Sequence, residues 1–327
     1  MSFIKGEDVN IGIARETSRG TPESPSVWIP GRTPTGVRPV VEKAIIKETK
    51  GTGMSSQGSV LVQKRVEGDL EFNVRNGSIG MMLLSLLGKV TTSTAGSAYS
   101  HLFEILTGNP QNPTLTLGLA QLGMQDYEYK KCICTQLEIR TPVDDLVNAT
   151  ASFVGAEEST HADYSPSFAS TDYYFRHYDV VIKIAADVAS LSGASALSVK
   201  EFSLNLGNNG RVNQNIGELN PSDVLSTMVE VGGKLKLDYT GETYHDLYAA
   251  GTYKAMSITM TRSDVALDTG VYPKVQFVMP KVSFENLTPD RPIDDIVSLD
   301  MDFAAHYDED TGYGIQATVV NSIANYN

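Results

Sequence analysis

Thr141–Phe153 reads TPVDDLVNATASF, and Arg291–Phe303 reads RPIDDIVSLDMDF. Pro142, Val143, Asp144, Asp145, Leu146 and Val147 align with Pro292, Ile293, Asp294, Asp295, Ile296 and Val297 at a constant offset of 150 positions. Each stretch joins a proline–aspartate turn to a strand of alternating apolar residues. Val147, Ala149, Ala151 and Phe153 share a phase with Val297, Leu299, Met301 and Phe303. A slip of one residue would send every one of these side chains to the opposite face, so the common phase carries information.

Working upstream, Gly68-Asp-Leu70-Glu-Phe72 corresponds to Gly233-Lys-Leu235-Lys-Leu237 at an offset of 165. A helix pattern follows each. SIGMMLLSLLG offers Ser78 as a cap and Gly88 as a left-handed end, with Ile79, Met82, Leu83, Leu86 and Leu87 as one apolar stripe. TYHDLYAAG offers Thr243 and Asp246 as a capping box and Gly251 as the end, with Tyr244, Leu247 and Tyr248 as its stripe. Met82, Leu86 and Leu247 are the residues expected to lay these helices on a sheet. The 15 positions lost between the two offsets are expected in loops after the first helix, where TTSTAGSAYS has no counterpart.

Elsewhere period two dominates. Leu115/Leu117/Leu119, Ile133/Thr135/Leu137/Ile139, Val180/Ile182/Ile184, Phe202/Leu204/Leu206, Met256/Ile258/Met260 and Val275/Phe277/Met279 each mark one face of a half-buried antiparallel strand. The reading is a mainly β chain of two tandem copies of one domain, 1–160 with an N-terminal arm and 179–327. Residues 161–178 form an aromatic-dotted linker.

Two long polar loops precede the helices, IIKETKGTGMSSQGSVLVQKRV and NLGNNGRVNQNIGELNPSDVLSTMVEV. They read as interaction arms, with Thr49, Gly51, Gly53, Met54 and Gln57 in the first and Asn208, Asn209, Arg211 and Asn213 in the second. Their composition suggests arms that are mobile when free and ordered on assembly.

The composition is that of a globular chain, 41% hydrophobic and 20% charged over 327 residues. No apolar run approaches the roughly 18 residues of a membrane helix, and no secretory pattern marks the start. The formal net charge of −13 argues against a surface that grips nucleic acid through its phosphates. Cys132 and Cys134 read as buried thiols in a reducing cytoplasm.

Nothing assembles into a catalytic or metal site. Asp144/Asp145 and Asp294/Asp295 read as turn or subunit-contact residues, because adjacent side chains in a turn diverge. The five histidines are scattered. GTGMSSQG has Gly51 and Gly53, but Ser56 stands where a dinucleotide loop needs its third glycine, and a strand follows instead of a helix. No cofactor and no enzymatic activity are expected.

Three stretches carry a resemblance. NIGIARETSRGTPESPSVWIPG (Asn10–Gly31), KRVEGDLEFNVRNGSIGMMLLSLLG (Lys64–Gly88) and CTQLEIRTPVDDLVNATASFVG (Cys134–Gly155) resemble the major tail tube protein of long-tailed bacteriophages. The second half matches through the internal repeat. The resemblance implies tail-tube β-sandwich domains, each with a flanking helix, whose sheets join between subunits into a barrel around a lumen. It implies self-assembly into rings stacked as a tube, in the virion tail, assembled in the host cytoplasm. Its partners would be the tape measure, terminator and distal tail proteins, with genomic DNA passing transiently and unspecifically and no membrane involved. A doubled domain would let three chains form a pseudo-sixfold ring. Asp69, Glu71, Asp300 and Asp302, on faces alternating with the apolar sets, are lumen candidates expected to make the channel net negative. A distal-tail or baseplate hub, or a tail terminator, on the same fold stays open. So does a carbohydrate-binding β-sandwich, for which Tyr164, Tyr173, Tyr174, Phe175 and Tyr178 are the candidate cluster.

Overall fold

The computed structural model describes residues 5–32, 36–51, 53–108, 110–239, 241–291 and 296–326. The first half runs β1 (Val9–Arg15), β2 (Val27–Ile29), β3 (Arg38–Ile46), β4 (Gly58–Asn73), α1 (Ile79–Leu87), β5 (Gly88–Ala95), β6 (Ala98–Ile105), β7 (Leu115–Gln121), β8 (Asp126–Pro142), β9 (Asn148–Gly155) and β10 (Glu157–His161). The second runs β11 (Val180–Ala185), β12 (Val199–Gly207), β13 (Arg211–Asn213), β14 (Asp223–Leu225), β15 (Glu230–Asp238), α2 (Thr243–Ala249), β16 (Lys254–Thr261), β17 (Lys274–Asp290), β18 (Ser298–His306) and β19 (Gln316–Asn321). Every strand pairing is antiparallel, as the mainly β reading requires.

The quoted stretches occupy equivalent places. β9 lies between β4 and β8, with Ala151 opposite Leu70 and Phe153 opposite Cys134. β18 lies between β15 and β17, with Met301 opposite Leu235 and Phe303 opposite Phe284. The same offsets of 165 and 150 connect the two sets of partners. Irregularities recur as well: β8 bulges against β9 between Cys134 and Gln136, and β17 bulges against β18 between Glu285 and Thr288. β7 and β16 shift register against β8 and β17 at Leu115/Leu117 and Lys254/Met256.

β8 joins the halves. Its first part pairs with β7 and β10, and its last part, Gln136–Pro142, takes β9 on one edge and β12 on the other. One sheet therefore runs β3-β4-β9-β8-β12-β15-β18-β17 across both halves. Among the described residues β3 pairs with β4 alone, and Ser283–Asp290 of β17 with β18 alone. The C-terminal β19 inserts between β17 and β6, with Ala317 opposite both Phe277 and Phe103. The apolar residues of both halves merge into one main cluster, each large side chain in it contributing about 1.5–3 kcal/mol by leaving water.

Several local expectations change. TTSTAGSAYS is no loop but the β5–β6 hairpin. All nine residues of α1 are buried, not a stripe alone, because the helix is enclosed by strands and the C-terminal tail. Tyr326 of that tail is buried on Gly80, where a Cβ would fall 2.2 Å from its ring. Gly88 ends the helix in the left-handed region at φ 91°, as read. Ser78 makes no cap hydrogen bond; its hydroxyl donates to Asp172, which also accepts from the Gly77 N–H. α2 starts at Thr243 with Glu242 as the N-cap residue, so Thr243 is the first helical residue and not the cap. β7 is buried on both faces, since Pro25 and Tyr164 cover Gly118. The β8 bulge separates Ile133 from the Leu137/Ile139 face and places it opposite Val154 in a cluster of its own.

Candidate assembly surfaces

The first arm is the distal part of the β3–β4 hairpin, paired out to Ile46 opposite Gly58. Gln57 closes its neck: its side-chain oxygen accepts from the Glu48 N–H at 2.8 Å and its amide donates to the Glu48 carbonyl at 3.0 Å. Thr49, Gly51, Gly53 and Met54 stand exposed at the tip, where Gly51 and Gly53 take φ of 61° and 70°, conformations costly for other residues. Arg65 reaches Glu67 along its own strand and Glu42 across on β3, and these bonds raise the guanidinium pKa further. The ribbon also exposes apolar side chains, Ile45 at 62% and Val60 at 52%. An isolated two-stranded ribbon is marginal in water, and exposed apolar patches mark contact sites.

The second arm is packed down. Asn208 is fully buried at its base and donates to the Cys134 carbonyl at 2.9 Å. Asn209 takes a left-handed φ of 48° and donates to the Met228 carbonyl at 3.3 Å. Arg211 and Asn213 are exposed on β13, and Asn213 donates to the Ser222 hydroxyl at 3.0 Å. Val212 and Val224, opposed on β13 and β14, pack against Ile133, Val154 and Ala156 of the first half. Arg19 grips Asp223 through Nε at 3.1 Å and Nη2 at 2.8 Å and donates from Nη1 to the Asn112 carbonyl at 2.7 Å. Lys131 donates to the Ser222 carbonyl at 2.7 Å, and the Lys64 N–H to the Leu219 carbonyl at 3.0 Å. Sequence reasoning missed this clasp. Arg19 and Asp223 lie 204 positions apart, and no local pattern marks either.

The non-core face of the long sheet carries interleaved charge. Asp69 accepts from the Ser152 hydroxyl at 2.6 Å. Glu71 lies opposite Thr150. Asp302 lies opposite both Lys234, with its ammonium at 3.5 Å, and Glu285, and accepts from Asn286 at 3.1 Å. Asp300 lies opposite Lys236. The registers bring all four lumen candidates to this face, together with Glu67, Glu138, Glu201 and Glu285 against Arg38, Arg65, Arg140, Lys234, Lys236 and Lys281.

Asp144 and Asp145 diverge. Asp144 is in the left-handed region at φ 68° with its side chain 90% exposed. Asp145 accepts from the Leu146 N–H at 2.7 Å, which holds its carboxyl below the usual range. Asp294 and Asp295 lie outside the described residues. Met82 and Leu86 are core residues of α1, and Leu247 is half-buried on α2.

Among the linker aromatics Tyr174 and Tyr178 are exposed. Phe175 is buried, Tyr174 sits under Arg75 and Arg262, Tyr178 under Arg176, and Tyr164 against Trp28 and His161, while the Tyr173 N–H donates to Asn76. Arg176 and Arg262 both bind Asp264, at 2.9 Å each, and Arg176 also binds Asp179. Cys132 and Cys134 are free and buried, which pushes both thiol pKa values up. No group of three or more metal-ligating side chains occurs among the described residues, and no described helix is long and apolar enough to cross a membrane.

No curated protein matches the chain in sequence. The family described as phage tail tube protein matches residues 6–305, from the first strand through β18 and across both helices. A match of that extent covers both copies of the proline–aspartate strand and the sheet between them. The chain therefore belongs to the phage tail tube protein family and is a structural component of the bacteriophage tail.

Proposed function

We propose that this protein builds the wall of the tail tube from rings of three chains, each chain supplying two tube units side by side. The observation that carries the reading is the recurrence of one strand order and one register on either side of the β8–β12 pairing. That pairing joins two units edge to edge inside one chain. The open edges of β3 and of Ser283–Asp290 are the corresponding edges at the two ends of the sheet. Open edges invite further pairing, and ring closure removes them. A head-to-tail contact that closes on itself gives a ring of fixed number. Three chains then present six units, and stacked rings form the tube.

In this reading the charged face of the sheet lines the bore. Its acidic side chains outnumber the basic ones, and alternating signs leave no basic track for a phosphate backbone to follow. DNA would pass without being held. The second half, held to its neighbour within the chain, has been free to diverge from the first.

Electron microscopy of the purified protein at high concentration, with end-on averages and ring mass, tests this. Hollow tubes of six-lobed rings with the mass of three chains are expected. Rings of six chains would refute the paired-unit wall. Single rings beside tail extracts would move the protein to a hub or terminator, and monomers alone would remove the tube role.

A further inference from the structure

The two arms are not in the same state, and the difference identifies a docking surface. Transferring the β12–β15 register onto β3–β4 places Ile45 where Val212 stands and Ser59, its cross-strand partner, where Val224 stands. Val212 and Val224 are seated on Ile133, Val154 and Ala156. Ile45 and Ser59 are exposed. At the offset of 150, the seat itself corresponds to Ser283, Ala304 and His306 on the non-core face of β17–β18, where Ser283 lies opposite Ala304. That surface is uncovered: His306 is exposed, and Tyr253 at 53% lies against its ring. Lys131, which donates to the second arm, corresponds to Lys281, whose ammonium rests over Tyr253 at 4.7 Å.

We infer that the first arm of one chain seats on the β17–β18 face of a second copy of this chain, with Ile45 over Ala304 and His306. The occupant is a second copy because an arm of this chain already fills the equivalent seat. The first arm is separated from β17 by the width of its own sheet, six strands away. The geometry agrees with the proposed pairing of β3 to Ser283–Asp290, just as the second arm follows β12 onto the half that β12 joins. The inference rests on the ring reading above, and it makes each seam a clasp of backbone edge plus apolar arm.

Two kinds of chain distinguishable by size, one Ile45→Cys and the other Ala304→Cys, are assembled together and mildly oxidised. A disulfide between unlike chains is expected. A control pair, Ile45→Cys with Val154→Cys, is expected to give none, because the seat at Val154 is already filled. Separately, Ile45→Asp is expected to leave the monomer's melting and circular dichroism unchanged and to abolish ring formation. Tubes that form normally with the Ile45→Asp variant, or that form from the cysteine chains without the Ile45–Ala304 cross-link, would overturn the arm seat while leaving the tube intact. A wild-type protein that never assembles would overturn both.

Discussion

Gly80 shows how much one position can hold. It sits inside α1, where replacing glycine by alanine ordinarily gains about 1 kcal/mol. Here the added Cβ would meet the Tyr326 ring at 2.2 Å. Gly80→Ala is therefore expected to destabilise by about 1–3 kcal/mol, as overpacking does, read as a lower denaturation midpoint. In a Tyr326→Ala background the same substitution is expected to stabilise. A stabilising effect in the wild-type background would show that the tail does not bear on the helix. The Asp264 carboxylate is the second residue of this kind. Hydrogen bonding from Arg262, and then from Arg176, holds its pKa below the usual range. A lowered folded pKa gives stability that is present above the unfolded value of about 3.9 and is lost as pH falls through the folded one. Asp264→Asn is thus expected to be less stable than wild type near neutrality. That gap should narrow as pH falls from about 5 to about 2, followed by urea unfolding across the range. A gap that stays constant would mean that the two arginines hold the linker without the charge.

Among elements, what could be read from the sequence was what repeats or alternates locally. The strand phases, the α1 end at Gly88 and the shared facing of Val147–Phe153 and Leu299–Phe303 all follow from periods of 2 and 3.6. Pairings between distant segments had no such signal. Nothing in TTSTAGSAYS says that β19 completes its sheet, since Phe103 and Ala317 meet only through the fold. The β8 bulge was equally silent, and it alone moves Ile133 out of the main core and into the seat of the second arm. The arms looked alike in composition. Burial of Asn208 and the Arg19–Asp223 pair make one of them part of the body. Replacing residues 47–57 by a two-residue turn is expected to leave monomer stability within about 0.5 kcal/mol, as for surface changes away from packed features, and to reduce or end assembly measured by sedimentation. Val224→Asp, in the seated arm, is expected to cost about 2 kcal/mol or more by burying a charge, measured by denaturant unfolding. Equal effects on folding from both changes would erase the distinction between the arms.

At the scale of the whole molecule, one large sheet runs through both halves, and in the proposed ring its inner and outer seams differ. Inside, β8–β12 is covalently guaranteed. Outside, in the proposed ring, β3 would meet its partner by diffusion. The bore should therefore repeat with threefold rather than sixfold detail, with Lys234 and Lys236 in the places that Asp69 and Glu71 hold in the other unit. Asp69→Lys/Asp300→Lys/Asp302→Lys tubes are expected to assemble and to retain short DNA at low salt, released as salt rises, whereas wild-type tubes retain none. Cosedimentation of labelled DNA checks this, and equal retention by both would take these carboxylates out of the bore.

The position of β19 has a consequence in time. The strand that closes the sheet beside β6, and the tyrosine that seals the start of α1, are synthesised long after the elements they complete. Contacts this remote in sequence form slowly. A nascent chain thus carries its first arm long before the body that displays it is finished. The arm is thus made before its own fold is closed, and in the proposed tube a subunit becomes competent to link only once β19 has been placed.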